Sequence, residues 1–494
     1  MMASSSYILS IDQGTTGTTV LLVDSQGNIV RKAYQEFKQH YPRPGWVEHN
    51  PDEIWIATYN AVLEILQSID SKNSIAAIGI TNQRETTVVW DRRTGKPIHP
   101  AIVWQCRRTA EICNKLNENE SIVANVKNKT GLVIDPYFSA TKVAWILDNV
   151  DGARKKANRG ELAFGTVDTW LLWKLTNGSL HQTDYTNASR TLLFDINTLS
   201  WDDELLEIFN VPKQILPEVL PSASVFGKTT LPKLEGIPIA GVVGDQQSAL
   251  FGQLCWQKGM VKNTYGTGCF LMLNTGSERV ESQSGLLTTL ACSQGEEPQY
   301  ALEGSIFVAG AAVQWLRDGL RIIESAENTE NMAKSVNDTD GVIVVPAFTG
   351  LGAPYWKPEA KGAIFGLTRG TTREHIVRAT LESIAYQSAD VVKVMMDDAG
   401  IPIKRLRVDG GAAANNFLMQ FQADILGIEV ERPTQVETTG LGAAYLAGLT
   451  TGIWQNVEQL SNIRKIDSVF SPQMDTQLQK AKMEKWKNSI NRLT

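Results

Sequence analysis

The sequence predicts an α/β protein built from two similar domains, and three observations support this fold class. Helical and strand patterns alternate along the chain. A strand–turn–strand pattern with a turn rich in Gly and Thr occurs near the start and again in the second half. The length of 494 residues exceeds that of a usual single domain. We therefore expect one domain over residues 1–255 and a second over residues 256–494.

Three strands are predicted at the start of the first domain. The apolar run Tyr7–Asp12 meets the polar turn Gly14–Gly17, and a second apolar run follows at Thr18–Asp24. After the turn Ser25–Gly27, a third extended stretch begins at Asn28. Short apolar runs separated by polar turns that contain glycine are typical of antiparallel strands.

A helix with a clear start signal follows these strands. Asn50 can cap the helix, Pro51 takes its first position, and the next two residues are acidic. Two further apolar runs, Ile75–Thr81 and Val88–Trp90, predict strands.

The second domain is predicted to open like the first. Met260–Thr264 reads as a strand, Gly266–Gly268 as the turn, and Cys269–Asn274 as the returning strand. Two such hairpins, one in each half, predict two domains that face each other.

A long amphipathic helix is predicted at Thr372–Asp398. Thr371 and Glu374 have the spacing of a capping box, and Gly400 marks the end of the helix. The strand Arg405–Val408 follows. It leads through the turn Asp409-Gly410-Gly411 into a helix that runs from Asn415/Asn416 to Gly427.

Composition and charge exclude several classes of protein. Hydrophobic residues make up 43% of the chain and charged residues 20%, which is typical of an ordinary folded protein. The net charge of −6, without a basic run, argues against a nucleic-acid partner. Five cysteines without a CxxC pair argue against a disulfide framework or a zinc ribbon. Met1–Ser6 holds no basic residue, and no apolar stretch is long enough for a membrane span, so we expect a soluble cytoplasmic protein.

Phosphate binding is indicated by the two Gly/Thr turns. A Walker A loop, a GxGxxG loop and the protein-kinase motifs are all absent from the sequence. Glycine lets backbone N–H groups approach an anion closely, and threonine hydroxyls add donors. One such turn alone is more often a plain hairpin. Two of them, each with acidic residues nearby, favour a nucleotide clamp.

Two aspartates are candidates for the chemistry. Asp12 lies beside the first turn, where a carboxylate suits a bound Mg²⁺, although it could also cap the turn. Asp245 follows the apolar run Ile237–Val243, at the expected carboxyl end of a strand. A carboxylate there could deprotonate a hydroxyl for phosphoryl transfer, or it could be a helix N-cap.

A polyol site is a further hypothesis. Arg84 and Glu85 offer donors and acceptors between two strands, although a solvated ion pair is the commoner explanation for such a doublet. Trp104, Tyr137 and Phe270 are candidate apolar walls, although each is more often part of a core.

The second domain holds a candidate site for a base and ribose. Gly410 and Gly411, followed by Asn415, lie between a strand and a helix N-terminus. A structural turn between strand and helix is the equal alternative.

These residues lie in motifs through which the chain resembles the FGGY carbohydrate-kinase family over essentially its full length. Two family signatures also match, at Tyr137–Asn149 and Gly362–Glu382. Around Arg84, Glu85 and Trp104 the chain is similar to members that phosphorylate glycerol rather than xylulose or gluconate. The matching stretches are Asp12–Thr16, Gly79–Thr86, Ile102–Thr109, Gly131–Ser139, Phe164–Trp170, Thr183–Arg190, Gly244–Gln247, Asn263–Phe270, Val345–Trp356 and Val408–Asn416.

The resemblance implies an actin-like, ribonuclease-H-like fold with ATP and Mg²⁺ in the cleft between the two domains. The implied reaction is ATP-dependent phosphorylation of glycerol to sn-glycerol 3-phosphate, with Asp245 as the base and Asp12 near the metal. The implied nucleotide contacts are Thr15, Thr16, Gly17, Thr267, Gly310, Gln314, Gly411 and Asn415. The implied glycerol contacts are Arg84, Glu85, Tyr137, Asp245 and Gln246, with Trp104 and Phe270 beside the carbon chain.

The resemblance also implies a homo-oligomer, either a dimer or a tetramer. A kinase of another polyol or sugar is the nearest alternative function. An actin-like filament or a chaperone ATPase of the same fold is a more distant one, since a chaperone needs a client-binding domain for which the two halves leave no residues.

One departure from the family pattern concerns the first phosphate turn. Many members read DQGTTSSR, whereas this chain reads DQGTTGTT over Asp12–Thr19. Gly17 keeps its N–H donor but lacks a hydroxyl, and Thr19 stands in place of an arginine. We expect this difference to affect the affinity for ATP rather than the class of reaction.

Overall fold

The computed structural model describes residues 6–69, 74–293, 295–357 and 359–493. Most of Met1–Ser6, the stretch examined for a secretory signal, lies outside the described residues. The chain divides into two compact units that are each discontinuous in sequence. The first consists of Met1–Leu254, Thr288–Tyr300 and Thr438–Arg464, and the second of Cys255–Leu287, Ala301–Glu437 and Lys465–Thr494.

The boundary predicted at residue 255 divides the chain once. In the structure, Leu254 and Cys255 do belong to different units. Two later segments, Thr288–Tyr300 and Thr438–Arg464, nevertheless return to the first unit.

The first unit contains fourteen strands and eleven helices among the described residues. Its strands are β1 (Tyr7–Gln13), β2 (Gly17–Val23), β3 (Ile29–Glu36), β4 (Glu48–His49), β5 (Ile75–Asn82), β6 (Val88–Asp91), β7 (Ala101–Ile102), β8 (Leu162–Gly165), β9 (Gln182–Asp184), β10 (Phe194–Asp195), β11 (Ser200–Trp201), β12 (Glu218–Leu220), β13 (Gly227–Lys228) and β14 (Pro238–Gly244). Its helices are α1 (Pro51–Gln67), α2 (Ala110–Asn117), α3 (Glu120–Thr130), α4 (Ser139–Asn149), α5 (Ala153–Asn158), α6 (Val167–Leu175), α7 (Tyr185–Ala188), α8 (Asp203–Ile208), α9 (Asp245–Gly252), α14 (Thr438–Thr450) and α15 (Val457–Ile463).

The second unit uses the remaining elements. Its strands are β15 (Val261–Tyr265), β16 (Cys269–Gly276), β19 (Ile343–Val345), β20 (Ala363–Phe365), β21 (Arg405–Asp409), β22 (Glu429–Pro433) and β23 (Ile466–Phe470). Its helices are α10 (Gly310–Asp318), α11 (Asn328–Lys334), α12 (Arg373–Ala399), α13 (Asn416–Leu426) and α16 (Thr476–Asn491). The chain passes from one unit to the other within β17 (Leu287–Leu290) and β18 (Tyr300–Ile306).

A six-stranded sheet in the order β13-β14-β5-β1-β2-β3 forms the centre of the first unit. The strands β1, β2 and β3 are an antiparallel meander, which confirms the prediction for this part of the sequence. The strands β5 and β14 run parallel to β1. The helix α1 begins where predicted, because the Asn50 side chain accepts a hydrogen bond from the Asp52 N–H and Pro51 takes the first position.

Helices cover both faces of this sheet. Alternate apolar residues such as Leu9 and Val20 pack with Ile54 of α1 in one core. On the opposite face, the Ser10 hydroxyl donates a 2.6 Å hydrogen bond to the Gly440 carbonyl of α14. The helix α14 lies very close to its neighbours, since a Cβ on Gly442 would collide with the backbone of α9. Small residues therefore let backbone pack directly on backbone here.

In the second unit, β16, β15, β21, β22 and β23 are neighbours in that order. The strand β15 is antiparallel to β16 and parallel to β21, as β1 is to β2 and β5. The two halves therefore share a strand arrangement, as the recurring turn pattern predicted.

The start of α12 differs from the prediction. The capping box consists of Thr372 and His375, not of Thr371 and Glu374. The Thr371 hydroxyl instead accepts a hydrogen bond from the Thr368 N–H in the preceding turn, so this threonine is already used outside the helix. The end of the helix is as predicted, with Gly400 left-handed at φ 62°.

Candidate active site

The carboxyl ends of three parallel strands meet at one edge of the first sheet. In the register, Gln13 of β1 pairs with Asn82 of β5, and Asn82 pairs with Gly244 of β14. Residues that precede or follow these positions therefore lie at the same edge. Among them are Asp12, Arg84 and Asp245, which the sequence predicted as parts of one site.

The first Gly/Thr turn lies between β1 and β2 at this edge. The Gly14 N–H donates a 2.9 Å hydrogen bond to the Gly17 carbonyl, which closes the turn. Within the described residues, the N–H groups of Thr15 and Thr16 donate no hydrogen bond to a backbone carbonyl. Successive backbone N–H groups of this kind form a concave site for an anion.

Arg84 and Glu85 follow β5 and are almost completely buried. Glu85 has a left-handed backbone with φ 59°, which is unusual for a residue other than glycine. This irregularity removes the strict alternation of a strand, so the doublet is not the solvated ion pair that was the commoner explanation.

Asp245 is the first residue of α9, and Gly244 is the N-cap, so Asp245 is not the helix cap that was the alternative hypothesis. Its Oδ1 lies 3.3 Å from Arg84 Nε and accepts a 2.7 Å hydrogen bond from the Gln246 N–H. The side chain of Asp245 is 28% exposed. The carboxylate therefore lies at a helix N-terminus beside a cationic side chain, where a ligand can reach it.

Gly244 has a steric role beside this pair. A Cβ at this position would lie 2.8 Å from Cγ and Cδ of Arg84. The absence of a side chain therefore leaves room for the arginine stem on its way to Asp245.

Trp104 and Tyr137 lie together, and Trp104 contacts the first Gly/Thr turn. Their rings meet edge to face at 5.5 Å between centroids. The Trp104 indole N–H donates a 3.0 Å hydrogen bond to the Thr15 hydroxyl oxygen. Both aromatic residues are only partly buried, so the apolar wall predicted from the sequence remains accessible.

Buried polar side chains that the sequence patterns did not single out hold these candidates in place. Arg190 Nε donates a 2.6 Å hydrogen bond to Glu85 Oε1, and Gln247 Oε1 accepts one of 3.1 Å from Arg84. The Thr186 hydroxyl oxygen accepts a 2.8 Å hydrogen bond from the Gly244 N–H. Arg190 and Thr186 belong to the motif Thr183–Arg190, which the sequence could match to a family but not to a role.

Lys142 is buried and holds the backbone at Tyr137 in place. Its Nζ donates hydrogen bonds of 3.0 and 2.6 Å to the carbonyl oxygens of Pro136 and Tyr137. Burial lowers the pKa of Lys142 to about 8, although the nearby Glu85 acts in the opposite direction. Lys142 is a single lysine among apolar residues of α4, and no sequence pattern predicted its contact with these carbonyl oxygens.

The second Gly/Thr turn, in the second unit, rests on the start of α10. The Thr267 carbonyl accepts hydrogen bonds from the N–H groups of Ala309 and Ala311, and the Gly266 carbonyl accepts one from Gly310. A Cβ on Gly310 would lie 2.6 Å from the Gly266 oxygen. The structure therefore brings Thr267 and Gly310 together, and Gln314 lies exposed one turn farther along α10.

Gly411 and Asn415 lie at the end of β21, next to the same turn. The register pairs Thr264 of β15 with Asp409 of β21, which places the residues after Asp409 beside the Gly266–Gly268 turn. A Cβ on Gly411 would meet nothing within 4 Å, so the backbone there faces open space. Asn415 caps α13 by accepting a 3.0 Å hydrogen bond from the Leu418 N–H.

Phe270 is also part of the second unit. It lies on β16, opposite Thr264, and is partly buried. The structure thus places ten of the sixteen predicted site residues in the first unit. The other six, which lie in the second, are Thr267, Phe270, Gly310, Gln314, Gly411 and Asn415.

The residues near Asp12 fit a magnesium ion that arrives with a nucleotide. Within the described ranges, no group of three or more His, Cys, Asp or Glu side chains is placed to hold a metal by itself. Mg²⁺ usually takes only one or two protein carboxylates together with phosphate oxygens and water. Asp12 is a single carboxylate two positions before the first Gly/Thr turn, and it matches that donor set. In the same described ranges, none of the helices combines the length and the apolar character needed to cross a bilayer.

The chain is similar to known proteins over nearly its full length. Residues 7–252 match the N-terminal domain of the FGGY family of carbohydrate kinases, and residues 261–451 match its C-terminal domain. The glycerol kinase of Escherichia coli O81 (strain ED1a) is 57% identical over 494 residues, and that of Citrobacter koseri is 58% identical. Each alignment covers 99% of this chain and 98% of the relative. The crystal structure of Plasmodium falciparum glycerol kinase with ADP superposes with a TM-score of 0.94 at 41% identity, covering 99% of this chain and 98% of that one. The chain therefore belongs to the FGGY family of carbohydrate kinases, with the two-domain α/β fold of that family.

Proposed function

We propose that this protein transfers the γ-phosphoryl group of ATP to a terminal hydroxyl of glycerol and releases sn-glycerol 3-phosphate and ADP. The observation that carries this proposal is the juxtaposition of Arg84, Glu85 and the accessible carboxylate of Asp245 at one sheet edge. The similarity to glycerol kinases over nearly the whole chain supports the same substrate.

Arg84, Glu85 and Gln246 bind the glycerol hydroxyls, and Asp245 acts as the base. The carboxylate of Asp245 takes the proton from the attacking hydroxyl as its oxygen forms a bond to the γ-phosphorus and the bond to the ADP oxygen breaks. Arg84 Nε lies 3.3 Å from Asp245 Oδ1 and orients the carboxylate. The rings of Trp104 and Tyr137 cover the carbon chain of glycerol.

The two Gly/Thr turns bind the phosphates of the nucleotide. Thr15, Thr16 and Gly17 contribute from the first unit and Thr267 from the second. The bare backbone at Gly411 accepts the base, with Gly310, Gln314 and Asn415 around the nucleoside. Asp12 holds the Mg²⁺, which when bound offsets the negative charge of the phosphate oxygens.

A kinase of another polyol or sugar from the same family is the alternative that the sequence left open. Buried polar groups that expect hydroxyls reject analogues that lack them by up to about 10⁴–10⁵-fold. The test is ADP release with glycerol, xylulose, gluconate and propane-1,2-diol in parallel. We expect turnover with glycerol and little with the others. Xylulose or gluconate as the best substrate would support the alternative, and equal turnover of the diol would contradict hydroxyl pairing.

An actin-like filament or a chaperone ATPase is less well supported. Neither needs Arg84, Glu85 and Trp104 beside a phosphate turn. ATP hydrolysis that is independent of any polyol, together with filaments visible by electron microscopy, would favour that class. A homo-oligomer located in the cytoplasm belongs to the same proposal, and light scattering of the purified protein tests for a dimer or tetramer.

A further inference from the structure

The ring of Tyr34 lies directly over the Gly17 backbone in the first phosphate turn. In the β2–β3 register, Tyr34 pairs with Thr19, while Gly17 pairs with Glu36. A Cβ on Gly17 would lie 2.6 Å from Tyr34 Oη and 2.7 Å from the ring atoms Cζ and Cε2. The hydroxyl end of the tyrosine therefore occupies the volume that a side chain at residue 17 would fill.

The core does not require a tyrosine at this position. Along β3, Ala33 points into the core with α1, whereas Tyr34 is on the opposite face and 46% exposed. Among the described residues, the Tyr34 hydroxyl makes no hydrogen bond. The ring lies across Gly17 with its hydroxyl at the first Gly/Thr turn, and this placement suggests that the hydroxyl serves a ligand.

The position of the hydroxyl suggests which ligand this is. Asp12, Thr19 and Tyr34 are directly opposite one another on three neighbouring strands, and their side chains share one face of the sheet. The Tyr34 ring points toward Gly17, the first residue of β2, which also ends the first Gly/Thr turn. The Tyr34 hydroxyl thus lies beside Gly17, the last residue of the turn that contains Thr15 and Thr16.

We propose that the Tyr34 hydroxyl donates a hydrogen bond to a phosphate oxygen of the bound nucleotide, in place of the side-chain hydroxyl that Gly17 lacks. The inference rests on the proposed binding of nucleotide phosphates at this turn. It makes Tyr34 a ligand-binding residue that none of the motifs in the sequence indicated.

The first test compares wild type with Tyr34→Phe, which keeps the ring and removes only the hydroxyl. A hydrogen bond to a charged group contributes enough that its loss should weaken MgADP binding by about tenfold. Calorimetry measures the Kd for MgADP, and ADP release gives the KM for ATP and for glycerol. The KM for ATP should rise with the Kd, while the KM for glycerol stays within about twofold. Tyr59→Phe, on α1 at the other face of the sheet, is the matched control and should change neither.

A double-mutant cycle tests whether the hydroxyl replaces a side chain at residue 17. In Gly17→Ser the new side chain must displace the Tyr34 ring, which can move because it is half exposed. The serine hydroxyl then takes over the phosphate contact. Adding Tyr34→Phe in the Gly17→Ser background should therefore change the Kd for MgADP by less than about twofold.

Two results would overturn the inference. One is a Kd for MgADP of Tyr34→Phe that equals that of wild type. The other is an equal rise in the Kd for MgADP in the wild-type and Gly17→Ser backgrounds, which would mean that the effect of Tyr34→Phe is independent of residue 17. Failure of the proposed function is seen separately, because wild type itself would then release no ADP with glycerol.

Discussion

Asp245 is accessible to a ligand and lies beside Arg84 at the start of α9. Replacing it with asparagine keeps the hydrogen-bonding shape but removes the ability to take a proton. We expect Asp245→Asn to lower kcat by roughly 10²–10⁴-fold, as for the loss of a general base. The Kd for glycerol should change only a few-fold.

The control for this substitution is Asp203→Asn, which changes an aspartate at the surface of the same unit. ADP release and glycerol calorimetry measure both variants. If Asp245→Asn turned over at nearly the wild-type rate, Asp245 would not be the base.

Arg190 acts on the candidate site through Glu85. Its guanidinium is completely buried, lies 5.1 Å from the centroid of the Phe138 ring, and donates to Glu85 Oε1. Arg190→Lys keeps the charge but not the planar donor geometry. We expect the KM for glycerol to rise by roughly tenfold, which corresponds to about 1.4 kcal/mol, with little change in the KM for ATP.

A merely structural role for Arg190 would give a different result. The melting temperature would fall, and both KM values would change together or not at all. Arg92→Lys is the matched control, since Arg92 is a partly buried arginine of the same unit that donates to the Leu162 carbonyl. It should leave the KM for glycerol unchanged.

At the scale of elements, the cap of α12 tests what sequence spacing can predict. Thr372 and His375 form the capping box, so Thr372→Ala should reduce the free energy of unfolding by about 1 kcal/mol. Thr371→Ala should cost less, because Thr371 only accepts a hydrogen bond within the preceding turn. Urea unfolding of the two variants compares them directly. If Thr371→Ala reduced the free energy of unfolding more than Thr372→Ala, Thr371 would be the cap, as the sequence predicted.

Local signals in the sequence predicted the elements that carry their own start and stop residues. Asn50 and Pro51 define the start of α1, and Gly427 ends α13 in a left-handed conformation. Two threonines in succession at 371 and 372 offered two possible caps. The turn before the helix decides between them, because the Thr368 N–H donates to the Thr371 hydroxyl and Thr372 is left as the cap, so spacing alone gave the wrong one.

The helix α14 had no such signal. It is buried almost all round and contains three glycines, so it lacks the polar stripe that marks a helix at the surface of a domain. Among the residues around the candidate site, Arg190, Gln247 and Lys142 were not assigned a role from the sequence. The contacts of Arg190 with Glu85 and of Gln247 with Arg84 join positions more than 100 residues apart in the chain, and no local pattern records such pairs.

At the scale of the whole molecule, the first unit depends on a segment from the end of the chain. A fragment of residues 1–255 lacks α14, so one face of the central sheet would lose its cover, including the contact between Ser10 and Gly440. We expect this fragment to lack fixed tertiary packing, with far-UV circular dichroism partly retained and near-UV signal lost.

A second fragment supplies the missing helix. It joins residues 1–254 through flexible linkers to 288–300 and 438–464, and it should recover the near-UV signal and unfold cooperatively. A well-packed fragment of residues 1–255 would show instead that the returning segments are dispensable for the first unit.

The return of Thr438–Arg464 to the first unit also bears on how the protein is made. A ribosome synthesises the chain from its N-terminus, and at about 5–20 residues per second it needs roughly 10–40 s to proceed from Leu254 to Arg464. Throughout that interval the nascent first unit exposes the apolar sheet face that α14 later covers. We therefore expect this protein to engage chaperones during translation, and to be more sensitive to their depletion than a protein whose first domain is continuous in sequence.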